Sequence, residues 1–181
     1  MRLIRVMLSA GLLLGLAVPA IHASPPVAAH AGTERPILTV TLGPNGRPQE
    51  TASQEITFDR SRFEAIGTRT IRTSTSWTDG VNEFEGVLVR DVLAAVASDA
   101  KASGPYTAIR VAAINDYSYT IPVKDLHEYP VILAFKMNGK ALTARDKGPL
   151  WVIYPRDEYP ELKTKEIDHR MVWQVNAMSV Q

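Results

Sequence analysis

Four short polar clusters in the sequence contain residue types that could bind a small ligand. Residues 73–79 surround a tryptophan with hydroxyl groups, residues 115–118 read Asn-Asp-Tyr-Ser, and residues 145–151 place three charges directly before an apolar strand. An Asp-His-Arg run at residues 168–170 forms the fourth cluster together with Trp173. A carboxylate, a cation and an aromatic plane at strand ends are what a small planar polar ligand requires. These clusters therefore predict a binding site.

Several other kinds of chemistry find no support in the sequence. The chain has no cysteine, which excludes thiolate metal ligands and disulfides. Within residues 36–181 the only histidines are His127 and His169, and their spacing is not that of metal ligands. No Gly-rich phosphate loop and no Gly-x-Ser-x-Gly elbow is present. We interpret the adjacent acids Asp157 and Glu158 as solvated loop charges, so hydrolysis is not indicated.

The N-terminal segment is predicted to lie outside the folded domain. A basic start is followed by an apolar run over residues 6–18 and by small residues ending at Ala20 or Ala23. This order is typical of a secretory signal, and the apolar run is too short to span a bilayer. We predict a signal peptide at residues 1–23, a flexible leader at residues 24–35 and one folded domain at residues 36–181.

The charge of the chain gives it no general attraction to polyanions. Its formal net charge is +1, and removal of the two arginines in the predicted signal peptide changes this to about −1. A balanced charge does not draw a protein to nucleic acid or to anionic lipid. We therefore predict neither a nucleic-acid partner nor direct insertion into a membrane.

The hydrophobic pattern predicts an α+β domain, mostly β. Asn138-Gly139 is the strongest hairpin signal, Pro122 suggests an edge strand, and apolar residues at helical spacing from Leu88 to Ala97 indicate the clearest helix. Asp59 or Ser61 is expected to cap a short helix that follows. Strands are predicted at residues 37–42, 56–58, 70–75, 107–114, 117–123, 131–137, 141–143, 150–154 and 171–180, and short helices at residues 62–66 and 124–129.

The polar clusters also lie where the chain resembles a known family. Residues 71–80, followed by residues 84–93, are similar to the molybdopterin-binding domain of the sulfite oxidase fold. The resemblance continues in order to the end of the chain, through residues 113–118, 137–142, 145–151 and 170–174. The pieces from Gly86 to Leu93 and from Asn138 to Trp151 are the most specific. The resemblance implies a mostly β, single domain of the sulfite oxidase type.

One departure from the family pattern bears on function. In the family's enzymes a cysteine thiolate ligates molybdenum at a strand end, and that position falls here at Thr73 or Ser74. A hydroxyl is a poor substitute for a thiolate as a ligand to oxidised molybdenum. The chain thus resembles small, exported, cysteine-less members of the fold. That resemblance implies a periplasmic protein that binds a reduced pterin without molybdenum and regulates a membrane-bound diguanylate cyclase/phosphodiesterase, and hence cyclic-di-GMP signalling and biofilm formation.

A pterin site is implied by the same resemblance. A pterin edge offers two N–H donors beside a carbonyl, so a carboxylate can accept both donors while an indole stacks on the ring. Asp116 or Asp146 is the expected carboxylate, Arg145 or Lys147 the cation, and one of two tryptophans the stacking face. The full expected set is Thr73, Ser74, Ser76, Trp77, Asp116, Tyr117, Arg145, Asp146, Lys147, Arg170 and Trp173.

Two other functions are compatible with the sequence. The first is a molybdenum-cofactor-dependent oxidoreductase with an unusual ligand set. The second is an interaction module without a ligand, in which side chains fill the cleft and only the surface docks a partner.

Overall fold

The first of two β-sheets brings the two ends of the domain together. The computed structural model describes residues 35–43, 54–100 and 106–181, so the predicted signal peptide and most of the predicted leader lie outside the described residues. In spatial order this sheet contains β2 (Gln54–Phe58), β1 (Leu38–Leu42), β10 (Val175–Val180), β5 (Ala108–Ala113) and β6 (Ser118–Pro122). Only β1 and β10 pair in parallel, and β6, which ends at Pro122, lies at an edge as predicted.

The second sheet carries the hairpin with the first polar cluster. Its strands are β3 (Arg69–Thr75), β4 (Thr78–Leu88), β7 (Ile132–Met137), β8 (Lys140–Ala141) and β9 (Trp151–Ile153). The last two both pair with β7, at different points along it. The turn between β7 and β8 has positive φ at Asn138 (51°) and Gly139 (75°), which matches the twist that a two-residue hairpin needs.

Four helices connect the strands of the described residues. They are α1 (Arg60–Glu64), α2 (Val89–Ala100), α3 (Val123–Glu128) and α4 (Lys165–Arg170). Asp59, rather than Ser61, caps α1 by accepting the Arg62 amide, so that helix begins two residues before its predicted start. Thr164 caps α4 in the same way, through the Ile167 amide at 3.3 Å. No helix in the described part of the chain is both long enough and apolar enough to cross a membrane.

The apolar core contains residues of both sheets and of all four helices. Phe84, Leu133 and Trp151 of the second sheet are fully buried, as are Leu38 and Val40 of the first. Burial of this apolar surface is the main favourable contribution to folding. The described residues belong to one compact unit, and the predicted class, a mostly β single domain, is confirmed.

The C-terminal part of the chain differs most from its prediction. Helix α4 and a 3-10 turn at Pro160–Leu162 were not expected, and the last strand begins at Val175 rather than at residue 171. Gln174 has a positive φ of 55°, which ends regular extension just before the strand. A bulge between Val175 and Ala177 then changes the side-chain alternation, so that Val175, Met178 and Val180 are all buried. The predicted strand over residues 171–180 is therefore wrong for its first four residues.

Gly86 marks a close approach of β4 and β7. A Cβ atom added there would lie 2.3 Å from the Leu133 carbonyl oxygen and 2.6 Å from the Ala134 Cα. Both are backbone atoms that cannot move without disturbing the sheet. We predict that Gly86→Ala lowers the free energy of unfolding by about 1–3 kcal/mol, the usual cost of overpacking.

Urea unfolding followed by tryptophan fluorescence measures this change. Glu83→Ala is the control, because it alters an exposed side chain on the same strand. Equal unfolding midpoints for Gly86→Ala and the control would show that the two strands can separate without cost.

Candidate functional site

A cleft of about 320 Å³ opens where three loops of the fold meet. One wall comes from the β3–β4 turn, a second from the β5–β6 turn, and the third from the end of α4 with the segment after it. The lining residues are Trp77, Ala113, Asn115, Tyr117, Asp168, His169, Met171, Val172 and Trp173. The cleft therefore combines two indoles and a phenol with one carboxylate.

All three tryptophans of the chain pack around this cleft. The half-buried rings of Trp77 and Trp173 meet edge to face, with centroids 5.0 Å apart and planes at 86°. Trp151 is fully buried and contacts both, with centroids 6.4 Å from Trp77 and 6.5 Å from Trp173. Its Nε1–H donates to the Met171 carbonyl at 3.0 Å. The buried indole thus supports both aromatic rings of the cleft and fixes the start of its third wall.

A hydrogen-bonded ion pair forms the polar part of the cleft. Asp168 Oδ2 accepts from Ser76 Oγ at 2.8 Å, and Asp168 Oδ1 lies 2.8 Å from Arg156 Nη1. Arg156 Nη1 also donates to Ser76 Oγ at 3.1 Å. Asp168 Oδ1 and Arg156 Nε are buried, and neither makes a well-aligned hydrogen bond with the described residues. Both polar atoms are therefore shielded from solvent beside the cleft.

Asp157 is hydrogen-bonded to Thr73 and Ser74 of the first polar cluster. It is therefore not the solvated loop charge that the sequence suggested. Its carboxylate accepts from the Ser74 amide at 2.6 Å and from Ser74 Oγ at 2.8 Å, and its own amide donates to Thr73 Oγ1 at 3.2 Å. Lys163 Nζ lies 2.9 Å from Asp157 Oδ1. Hydrogen bonds from Lys163 and Ser74 hold the pKa of the Asp157 carboxyl below its ordinary value. The sequence could not reveal this long-range contact.

The structure brings some of the expected site residues together and separates others. Trp77, Tyr117 and Trp173 line the cleft. Ser76 contacts it through Asp168, and Arg170 ends the helix that carries Asp168. Like Ser76 and Arg170, the other six expected residues are not on the lining, namely Thr73, Ser74, Asp116, Arg145, Asp146 and Lys147.

These last six residues lie elsewhere in the structure. Thr73 and Ser74 are bound by Asp157. Asp116, Arg145 and Asp146 are exposed. Lys147 Nζ lies 5.5 Å from the centre of the Trp151 ring, beneath the cleft aromatics. Neither carboxylate proposed from the sequence, Asp116 or Asp146, therefore faces the cleft.

Three ionisable residues at or beside the cleft were absent from the expected set. Asp168 and His169 had a sequence signal, because they belong to the polar run that precedes Trp173. Arg156 had none, since it follows a buried strand in an irregular loop. Its contact with Asp168 joins residues that only the fold brings together.

The residues at the strand end do not fit a molybdenum centre of the family's type. The chain offers no thiolate, and the described residues contain no group of three or more His, Cys, Asp or Glu side chains placed to hold a metal. Thr73 is fully buried, and its hydroxyl is already an acceptor for the Asp157 amide. A planar ring with a polar edge fits the aromatic cleft better, because indole faces and a carboxylate are both present there.

Comparison with known proteins agrees with the architecture. Residues 49–159, well over half of the chain, match the family described as the oxidoreductase molybdopterin binding domain. Among solved structures, the sulfane dehydrogenase SoxCD from Paracoccus pantotrophus is similar at 15% identity and a TM-score of 0.49. The aligned region covers 80% of this chain and 37% of that chain, so this protein spans little more than a third of its length. No curated protein matches the chain.

Proposed function

The chain belongs to the oxidoreductase molybdopterin-binding domain family, and from this premise we propose that its cleft binds a reduced pterin without molybdenum redox chemistry. One observation carries the proposal: Trp77, Trp173 and Tyr117 converge on a cleft of about 320 Å³ whose polar wall is Asp168. A volume of this size suits a small ligand with a fused ring.

Recognition of a pterin at this site requires a stacking face and an acceptor for its N–H edge. Because Trp77 and Trp173 are nearly perpendicular, one indole can stack on the ring while the other contacts its edge. Asp168 is the carboxylate that lies on the lining, and we assign it the role first expected of Asp116 or Asp146. A charge-assisted hydrogen bond from the pterin N–H edge to this carboxylate would set the orientation of the ring.

A molybdenum-cofactor-dependent oxidoreductase is the second candidate, and family membership is the observation that favours it. That function needs a metal ligand in place of the thiolate. The hydroxyls at the corresponding strand end belong to Thr73 and Ser74, and both contact Asp157. A neutral hydroxyl is a weaker ligand than a thiolate for oxidised molybdenum. We therefore favour binding of the pterin alone.

We propose further that the protein is periplasmic and conveys pterin status to the periplasmic domain of a membrane-bound diguanylate cyclase/phosphodiesterase. The basic-apolar-small order of residues 1–23 supports export. Ile114 and Tyr117 on the β5–β6 turn are 50% and 44% exposed, which is unusual for large apolar side chains and supports a docking surface beside the cleft. A ligand signals through such a surface only if it binds the docked state more tightly than the free one.

Titration with a tetrahydropterin, followed by tryptophan fluorescence, tests the site. Asp168→Asn should weaken binding about tenfold to a hundredfold, because a hydrogen bond to a charged group contributes about 1.5–3 kcal/mol. Trp77→Ala should weaken it by about tenfold through loss of stacking. Asp116→Asn, in the exposed turn, is the matched control and should bind as the wild type does. Loss of affinity in the control but not in Asp168→Asn would move the site out of the cleft.

Calorimetric binding to the sensor's periplasmic domain tests the proposed signalling role. We expect the pterin to change the affinity between the two proteins by about 5–150-fold, the usual range of coupling between sites. Ile114→Asp should weaken docking while leaving pterin affinity intact, since that side chain is exposed and not on the cleft lining. An affinity for the sensor that is the same with and without pterin would exclude the role.

A further inference from the structure

Asp125 is the only charged residue that is buried in the described part of the chain, and it lies away from the cleft lining. It belongs to α3, and its exposed fraction is 8%. A buried carboxylate is costly unless charged or hydrogen-bonding partners compensate for the lost water. Its partners therefore indicate what the residue does.

Two donors converge on one oxygen of this carboxylate. The hydroxyl of fully buried Tyr154 donates to Asp125 Oδ2 at 2.8 Å, and Arg170 Nη1 donates to the same oxygen at 2.5 Å. Burial and the Asp125 charge raise the pKa of Tyr154, so it stays a neutral donor. Burial alone would lower the pKa of Arg170, but the Asp125 carboxylate raises it, so the arginine stays charged. The cluster is thus a largely buried ion pair with a neutral hydroxyl donor beside it.

Arg170 connects this buried pair to the cleft. It is the last residue of α4, whose residues Asp168 and His169 line the cleft, and Met171 continues the same wall. Its second terminal nitrogen, Nη2, donates to Glu166 one helical turn earlier at 3.1 Å. The guanidinium therefore contacts α3 and α4 together, and its side chain is not on the cleft lining.

A helix as short as α4 needs such external contacts. Isolated helices shorter than about 12–15 residues are marginal in water, and α4 has 6 residues. Its described anchors include the Thr164 cap, buried Ile167, the Asp168 pair with Arg156, the hydrogen bond from Tyr119 to Glu166 and the Arg170 ion pair. The Arg170 ion pair joins the end of the helix that precedes the cleft wall to the buried Asp125.

We propose that Asp125 and Arg170 are positioning residues for the cleft ligand, which hold Asp168 and the Met171–Trp173 wall in the binding geometry without touching the ligand. This inference rests on the proposed pterin function and deepens it. It assigns Arg170, expected from the sequence to bind the ligand directly, a role that acts through α4.

A double-mutant cycle in the full chain tests the proposal. Asp125→Asn keeps the shape and one acceptor but removes the charge, and it should weaken tetrahydropterin binding about tenfold or more. Arg170→Gln should have a similar effect. The double variant should bind tetrahydropterin no worse than the single variant with the lower affinity, because both changes remove the same anchor. Additive losses would mean that Arg170 contacts the ligand itself and would overturn the proposal.

Gly86→Ala separates positioning from general destabilisation. It strains the contact of β4 with β7, and neither Gly86 nor its close neighbours Leu133 and Ala134 line the cleft. At equal folded fraction it should keep wild-type affinity within about twofold, while Asp125→Asn should not. Equal losses in both variants would overturn the proposal. Tyr154→Phe, which removes one donor but keeps the ion pair, should give a smaller loss in the same direction and serves if Asp125→Asn does not fold.

Hydrogen exchange provides a readout that needs no ligand. Amides of residues 165–172 should exchange faster in Asp125→Asn than in wild type, and at the wild-type rate in Gly86→Ala. If Asp125→Asn exchanges faster but the wild-type protein does not bind pterin, the proposed ligand is refuted and the anchoring role is retained. Unchanged exchange in Asp125→Asn would refute the anchoring role whether or not the pterin binds.

Discussion

The hydrogen bond from the Trp151 indole to the Met171 carbonyl is the contact through which the core determines the cleft. The donor is fully buried in β9, and the acceptor begins the irregular segment between α4 and β10. A buried carbonyl without its donor is costly, so the segment has little freedom to move away. The same indole packs against Trp77 and Trp173, which face the cleft. The Trp151 side chain thus fixes the backbone at Met171 and supports the rings of Trp77 and Trp173.

Carboxylates complete the cleft by joining elements that are distant in sequence. Asp157 ties the loop after β9 to the end of β3, Asp168 ties α4 to the β3–β4 turn, and Asp125 ties α3 to α4. At the strand end where the family's enzymes are expected to ligate molybdenum, Thr73 and Ser74 of this chain are instead hydrogen-bonded to Asp157. The arrangement keeps the architecture of the family while offering an aromatic and acidic cleft for a ring. That combination supports a binding protein more than a redox enzyme.

The sequence predicted what depends on local pattern. β-branched alternation located the strands, and the Asn138-Gly139 pair located a hairpin. The structure places Trp77, Tyr117 and Trp173, the aromatic members of three polar clusters, on one cleft. Helix α4 was missed because it is short and is stabilised by a cap and an ion pair rather than by periodicity. The role of Asp157 was missed because its partner Ser74 is 83 residues away. Asp116 or Asp146 was expected to be the carboxylate of the site, but the fold places Asp168 on the cleft lining and neither of these two.

The most direct measurement is the identity and amount of ligand released from the intact protein. The chain would be produced with its N-terminal segment in a host that makes molybdenum cofactor, purified gently, denatured, and examined by mass spectrometry for pterins and by elemental analysis for molybdenum. We predict a free pterin at close to one per chain, without molybdenum. Molybdopterin together with stoichiometric molybdenum would contradict this prediction and identify an oxidoreductase, and a protein that neither carries nor binds a pterin would contradict it in favour of an interaction module.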